Sequence, residues 1–178
     1  MSVQHEPRYT DETILGDPRQ VARLQWIKDR IVGRAVDVGI GNGWPTNFLG
    51  AAVGVEIRED RVAVAQESYP HINFHVLDAS REALYGFDTV ILAEVIEHMP
   101  HSVAKKMLAL WSEDSPRQLL ITTPNAGKEG YDDSLVVNPE HIWYPTAYTL
   151  QMLIPHGYRI TEMDDSGDFI LVDLRSTN

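Results

Sequence analysis

The sequence predicts one doubly wound α/β domain that closes with a β-hairpin, and three observations carry the prediction. Short apolar runs alternate with stretches whose apolar residues recur every three or four positions, as strands alternate with covering helices. The first run, Ala35-Val36-Asp37-Val38, passes at once into Gly39, Gly41 and Gly43, a strand–loop–helix junction suited to a polar or anionic ligand. Two terminal runs flank the turn Asp164-Asp165-Ser166-Gly167, which is a hairpin signal. The resulting order is βαβαβαβαβαββ, a sheet of seven strands.

In chain order, residues 1–16 read as an irregular arm able to act as a lid, with His5 or Tyr9 folding over the site. Residues 17–178 read as a single domain. Asp17-Pro18 starts a helix carrying Val21, Leu24, Ile27 and Ile31, and Gly33 stops it. After the glycine loop, Pro45 opens a short helix. A second strand, 51–55, ends on Glu56, 19 positions beyond Asp37, where nucleotide-binding α/β folds place an acidic residue against ribose hydroxyls. A dinucleotide fingerprint would need a further glycine at Trp44 or Thr46, so a nicotinamide cofactor is disfavoured.

A helix over 60–68 follows, then a strand over 72–77 leading to Asp78 and Ala79, and a strand over 87–92 leading to Ala93 and Glu94. Residues 102–111 form a helix with Met107 and Trp111 inside, and 118–122 a fifth strand. Residues 126–145 are too polar and too broken by Gly and Pro for one element, and a connection that long is usually functional. Thr146 caps a helix predicted to reach His156, with Tyr148, Leu150, Met152, Leu153 and Ile154 buried.

Composition narrows the partners. There is no cysteine, and 15 basic against 26 acidic residues leave a net charge of −11. General nucleic-acid binding needs a cationic face and is not expected. No apolar run approaches the roughly 18 residues of a membrane span, and the N-terminal residues lack the order of a secretion signal. The expectation is a cytoplasmic monomer or homodimer acting on a small or neutral partner.

Asp37-x-Gly39-x-Gly41-x-Gly43, Asp78-Ala79 and FDTVILAEVIEHMP, residues 87–100, occur in this order within about residues 35 to 125. Together they resemble the motifs of class I S-adenosylmethionine-dependent methyltransferases. The resemblance implies a Rossmann-like, mostly parallel sheet whose last strand is antiparallel, and S-adenosyl-L-methionine as cofactor. By the same resemblance Asp37, Gly39, Gly41, Gly43, Glu56, Asp78, Ala79, Ala93 and Glu94 line the cofactor, with Asp78 and Ala79 at adenine and Ala93, Glu94 and His98 near the transferred methyl.

The expected activity is methyl transfer to an oxygen or nitrogen of a small molecule or glycan. His98 and His141 are the candidate catalytic bases, because imidazole takes up a proton near neutral pH. No metal is assigned. Glu94-x-x-Glu97-His98 with a later His141 also resembles the metal ligands of small-RNA 3′-terminal 2′-O-methyltransferases, so a metal-dependent RNA 2′-O-methyltransferase stands as an alternative. A non-catalytic S-adenosylmethionine-binding subunit is another. Trp44, Tyr131, Trp143 and Tyr144 lie in loops where they can stack on an acceptor.

Overall fold

A computed structural model describes residues 16–127 and 140–177. The expectations for the arm, including His5 and Tyr9, and for Tyr131 and most of the 126–145 loop lie outside the described residues. Helix α1 spans Pro18–Lys28, α2 Trp44–Leu49, α3 Glu59–Ser68, α4 His101–Trp111 and α5 Ala147–Gln151. The strands are β1 (Ala35–Val38), β2 (Val53–Glu56), β3 (Asn73–Val76), β4 (Thr89–Ala93), β5 (Gln118–Pro124), β6 (Tyr158–Asp164) and β7 (Phe169–Ser176).

All seven strands form one sheet in the order β3-β2-β1-β4-β5-β7-β6. β1 to β5 are parallel, and β7 runs antiparallel to both β5 and β6. β1, β2 and β5 are buried throughout, whereas the edge strands β3 and β6 alternate or face outward, as covered central and half-covered edge strands should. The chain winds from β1 to β3 on one side, then crosses to β4 on the other. The switch therefore falls between β1 and β4, the place where open α/β sheets leave a crevice at the strands' carboxyl ends.

One face of the sheet packs Val36, Val38, Leu92, Met107, Leu108 and Trp111 into the larger core, and the opposite face packs Leu24 and Ile27 of α1 against Ile91 and Leu120. Met107 and Trp111 are core residues as expected, and the Trp111 indole donates to Ala79 O at 3.0 Å. Among the described residues no helix is long and apolar enough to cross a membrane.

Three elements differ from the sequence expectation. α1 ends at Lys28 instead of running to Gly33, because both backbone groups of Val32 bond to Thr89 Oγ1, the amide at 3.1 Å and the carbonyl at 2.7 Å. No helix joins β3 to β4; residues 77–88 turn at Asp78 and press Leu77, Ala79, Ala83 and Leu84 onto the core. α5 stops at Gln151 despite the capping box that Thr146 makes with Thr149. Pro155 disfavours helical backbone at Ile154, and the shortened helix leaves Tyr148 and Met152 exposed.

Candidate active site

The glycine loop closes β1 and feeds α2, with Gly39, Gly41 and Gly43 all at positive φ. Only Gly41 borders open space. The Gly39 amide donates to Val55 O at 2.8 Å and the Gly43 amide to Ile40 O at 3.0 Å, so neither of these two amides is open to a ligand. Those two glycines are there for packing: a Cβ on Gly39 would lie 2.7 Å from Val95 Cγ2, and one on Gly43 2.6 Å from Ala65 Cβ, while one on Gly41 would meet nothing within 4 Å.

Asp37 is buried inside β1 and accepts from Thr46 Oγ1 at 2.7 Å. Burial pushes its carboxyl up to about 6 against the pull of Thr46 and Arg23. An aspartate with a folded pKa above its unfolded one binds its proton more tightly when folded. Its stabilising contribution is present below about pH 4 and is lost as pH rises through about 6, an effect on the order of 3 kcal/mol. Asp37→Asn is accordingly expected to raise the ligand-free melting temperature relative to wild type more at pH 7 than at pH 4. Thermal melts of both proteins at the two pH values test this, and an equal offset would refute it.

Glu56 ends β2, buried, accepting from the Arg58 amide at 3.1 Å and lying 3.8 Å from Arg61. Asp78, just beyond β3, accepts from the Ser80 amide at 3.0 Å and its hydroxyl at 2.6 Å and pairs with Arg81 at 3.1 Å. Ala79 follows it. Ala93 closes β4, and Glu94 leaves the strand at φ 60, a conformation a non-glycine residue adopts at some cost.

The two glutamates after β4 part company. Glu94 turns toward α1, 3.7 Å from Arg23 and 3.2 Å from the Thr122 hydroxyl that donates to it. Burial raises its pKa against the lowering effects of Arg23 and Thr122. Glu97, in the 3-10 turn Ile96–His98, is fully buried; it accepts from Thr123 Oγ1 at 3.2 Å through Oε2, and its Oε1 has no partner. Burial, reinforced by Glu94, lifts its carboxyl well above the usual range.

Residues 140–143 are pinned to that turn. The Ile142 amide donates to Glu97 O at 2.8 Å, the Trp143 indole to Ile96 O at 2.8 Å, and His98 Nδ1 to Glu140 O at 3.2 Å. The last bond assigns the proton of neutral His98 to Nδ1 and leaves Nε2 free to accept. The His98 and His141 rings stand edge to face, 4.8 Å between centroids, and Tyr144 lies edge-on to His141 at 6.0 Å. Ligand atoms of Glu97, His98 and His141 all fall within 4.8 Å of one another. Burial lowers the pKa of His98, while burial followed by the nearby His98 brings His141 down to about 4. Both imidazoles are thus neutral at pH 7, as a base or a metal ligand must be.

The fold therefore gathers His98 and His141 from 43 positions apart and adds Glu97, while Glu94 belongs to a different network. That network rests on Arg23, which the sequence reading passed over. Its guanidinium is buried, bonded to Gln20 at 2.9 and 3.2 Å and to Thr122 at 3.0 Å, with Phe169 5.1 Å away under it. The available signal was Gln20 and Arg23 on the same stripe as Leu24 and Ile27, a polar pair on an inward helix face. Of the proposed stacking aromatics, Trp44 stacks on Phe48 at 5.2 Å and Trp143 meets His101 edge-on at 5.2 Å, so both pack within the domain.

Residues 36–113 match a family model described as a methyltransferase domain. No curated protein matches the sequence. Among solved structures, the PH0226 protein from Pyrococcus horikoshii OT3 shares the fold with a TM-score of 0.71 at 17% identity, covering 97% of this chain and 96% of its own. The N-methyltransferase NodS from Bradyrhizobium japonicum WM9, in complex with S-adenosyl-L-homocysteine, gives 0.68 at 14% identity over 95% and 94% of the two chains. The small RNA methyltransferase HEN1 gives 0.70 at 16% identity, covering all of this chain (100%) but 27% of its own. The methyltransferase-domain match runs from β1 past α4, and the seven-stranded α/β sheet is the fold that the chain shares with these structures.

Proposed function

We propose that this protein transfers the methyl group of S-adenosylmethionine to an oxygen or nitrogen of a small-molecule or glycan acceptor. The observation that carries the reading is the meeting of two neutral imidazoles, His98 and His141, beyond the β4 end of the crevice that begins at the glycine loop. In the step, a lone pair on the acceptor forms a bond to the methyl carbon and the S–CH₃ bond breaks with its electrons staying on sulfur. The acceptor proton passes to an imidazole nitrogen. The chain's main task is alignment of nucleophile and methyl group.

Cofactor binding is tested by calorimetry with S-adenosylmethionine, its demethylated product and NAD. The first two should bind and NAD should not; the reverse would overturn the assignment. Glu56→Ala should weaken the cofactor by roughly ten- to a hundredfold, the worth of hydrogen bonds to a charged acceptor. Glu59→Ala should not, because Glu59 sits on the exposed start of α3. Equal losses would contradict placing the ribose at Glu56.

The Glu97, His98 and His141 cluster favours a second reading. One oxygen and two imidazole nitrogens, with Glu97 Oε1 and His141 Nδ1 both lacking partners, fit a divalent cation. Such an ion would lower the pKa of an acceptor hydroxyl. Glu94 would not join the set, being held by Arg23. Turnover abolished by a chelator and restored by Mn²⁺ or Mg²⁺ selects this reading; turnover indifferent to the chelator selects the imidazole base.

A further inference from the structure

Building on the methyl-transfer reading, we infer that the acceptor is an uncharged or cationic hydrogen-bond donor, an alcohol or an amine, received by the buried Oε1 of Glu97, and that acceptors presenting a carboxylate or phosphate are refused. Glu97 is 0% exposed, its Oε2 is satisfied by Thr123, and its Oε1 is without a donor although it lies in the cluster with His98 and His141. A fully buried oxygen in that state is rare in folded proteins and points to a group that arrives later. His141 Nδ1, likewise buried and unpartnered, belongs to the same cluster. The cluster thus offers an acceptor oxygen at Glu97, and an incoming N–H or O–H completes it.

The charges agree. Glu94 acts through space on Glu97, and Glu140 on His98 and His141. The cations that act on these groups are each engaged: Arg23 with Glu94 at 3.7 Å, Arg61 with Glu56 at 3.8 Å and Arg58 with Asp60 at 2.6 Å. Arg61 acts on His98 and Arg58 on Glu140 only through space. Among the described residues, then, no unengaged guanidinium forks toward the cluster, and an anionic group would meet carboxylates without the donors that recognise it.

The experiment uses the full chain saturated with S-adenosylhomocysteine, its binding first measured by calorimetry. The ring signals of His98 and His141 are then followed by NMR during titration with ethylammonium, ethanol, acetate and inorganic phosphate in chelator. Ethylammonium and ethanol should shift both rings, and acetate and phosphate should not. Glu97→Leu should weaken the response to both donors by about tenfold or more. Glu97→Gln, which keeps an oxygen but cannot ionise when a cation arrives, should retain the response to ethanol and lose most of that to ethylammonium, with a native melting transition in each variant. Shifts by acetate or phosphate, silence from all four probes, or an undiminished response in Glu97→Leu would overturn the inference while leaving methyl transfer standing. Broadening of both rings by micromolar Mn²⁺ with loss of the ethylammonium response would assign the cluster to a cation instead. Failure of S-adenosylhomocysteine to bind would bring down the methyl-transfer reading and this inference with it.

Discussion

Replacing His141 with alanine is expected to slow methyl transfer about 10²–10⁴-fold at saturating cofactor, with cofactor affinity little changed. The imidazole sits on a segment that three hydrogen bonds tie to the 96–98 turn, so its removal deletes a positioned proton acceptor and leaves the glycine loop and Glu56 untouched. His98→Ala should lose a comparable factor and also release Glu140 from its Nδ1 contact. The pH profile carries the sharper test. A base works unprotonated, and both rings titrate below the ordinary histidine value, His141 near 4. The acid limb of the rate should therefore lie below pH 6, with little change between pH 6 and 8. Stability runs with the same sign: a histidine whose folded pKa is depressed contributes stability above about pH 6.5 that is lost as pH falls toward 4. A wild-type rate that halves near pH 6.5, or a His141→Ala enzyme with full activity in chelator, would refute the role.

The parts of this molecule that follow local rules were legible in the sequence. The strand centres, the Asp17 and Thr146 caps, the Pro45 helix start and the hairpin each depend on a few neighbouring residues, and each stands where the pattern puts it. The helix ends that differ have one tertiary and one local cause. Thr89, 57 positions away, takes both backbone groups of Val32, whereas Pro155 is a local signal in the sequence that shortens α5. The site divides in the same way. His98 and Glu97 follow from the turn after β4, but the arrival of His141 depends on the pinning of 140–143, which no periodicity encodes. Glu94 shows the limit most clearly: its spacing from Glu97 and His98 suggests one ligand set, and Arg23, 71 positions earlier in the chain, draws it into another.

Gly41→Val is expected to leave a folded protein that no longer binds S-adenosylmethionine, an affinity loss of more than about a hundredfold. The three loop glycines all have positive φ, yet they answer to different neighbours. A side chain at Gly39 or Gly43 collides with Val95 or Ala65 inside the domain, so Gly43→Val should fail to fold at all. At Gly41 the Cβ enters open space, and the cost to the fold is the left-handed backbone alone, roughly 1–2 kcal/mol for a residue with a Cβ. That lowers the melting temperature by several degrees without abolishing the transition. The valine methyls occupy the ground beyond β1 where a ligand would approach the backbone. Calorimetry with S-adenosylhomocysteine, paired with a thermal melt of the same sample, separates the two effects. A cooperative melt with native affinity would move the cofactor away from the glycine loop, and an unfolded Gly41→Val would show that the loop tolerates no side chain even where the structure leaves room for one.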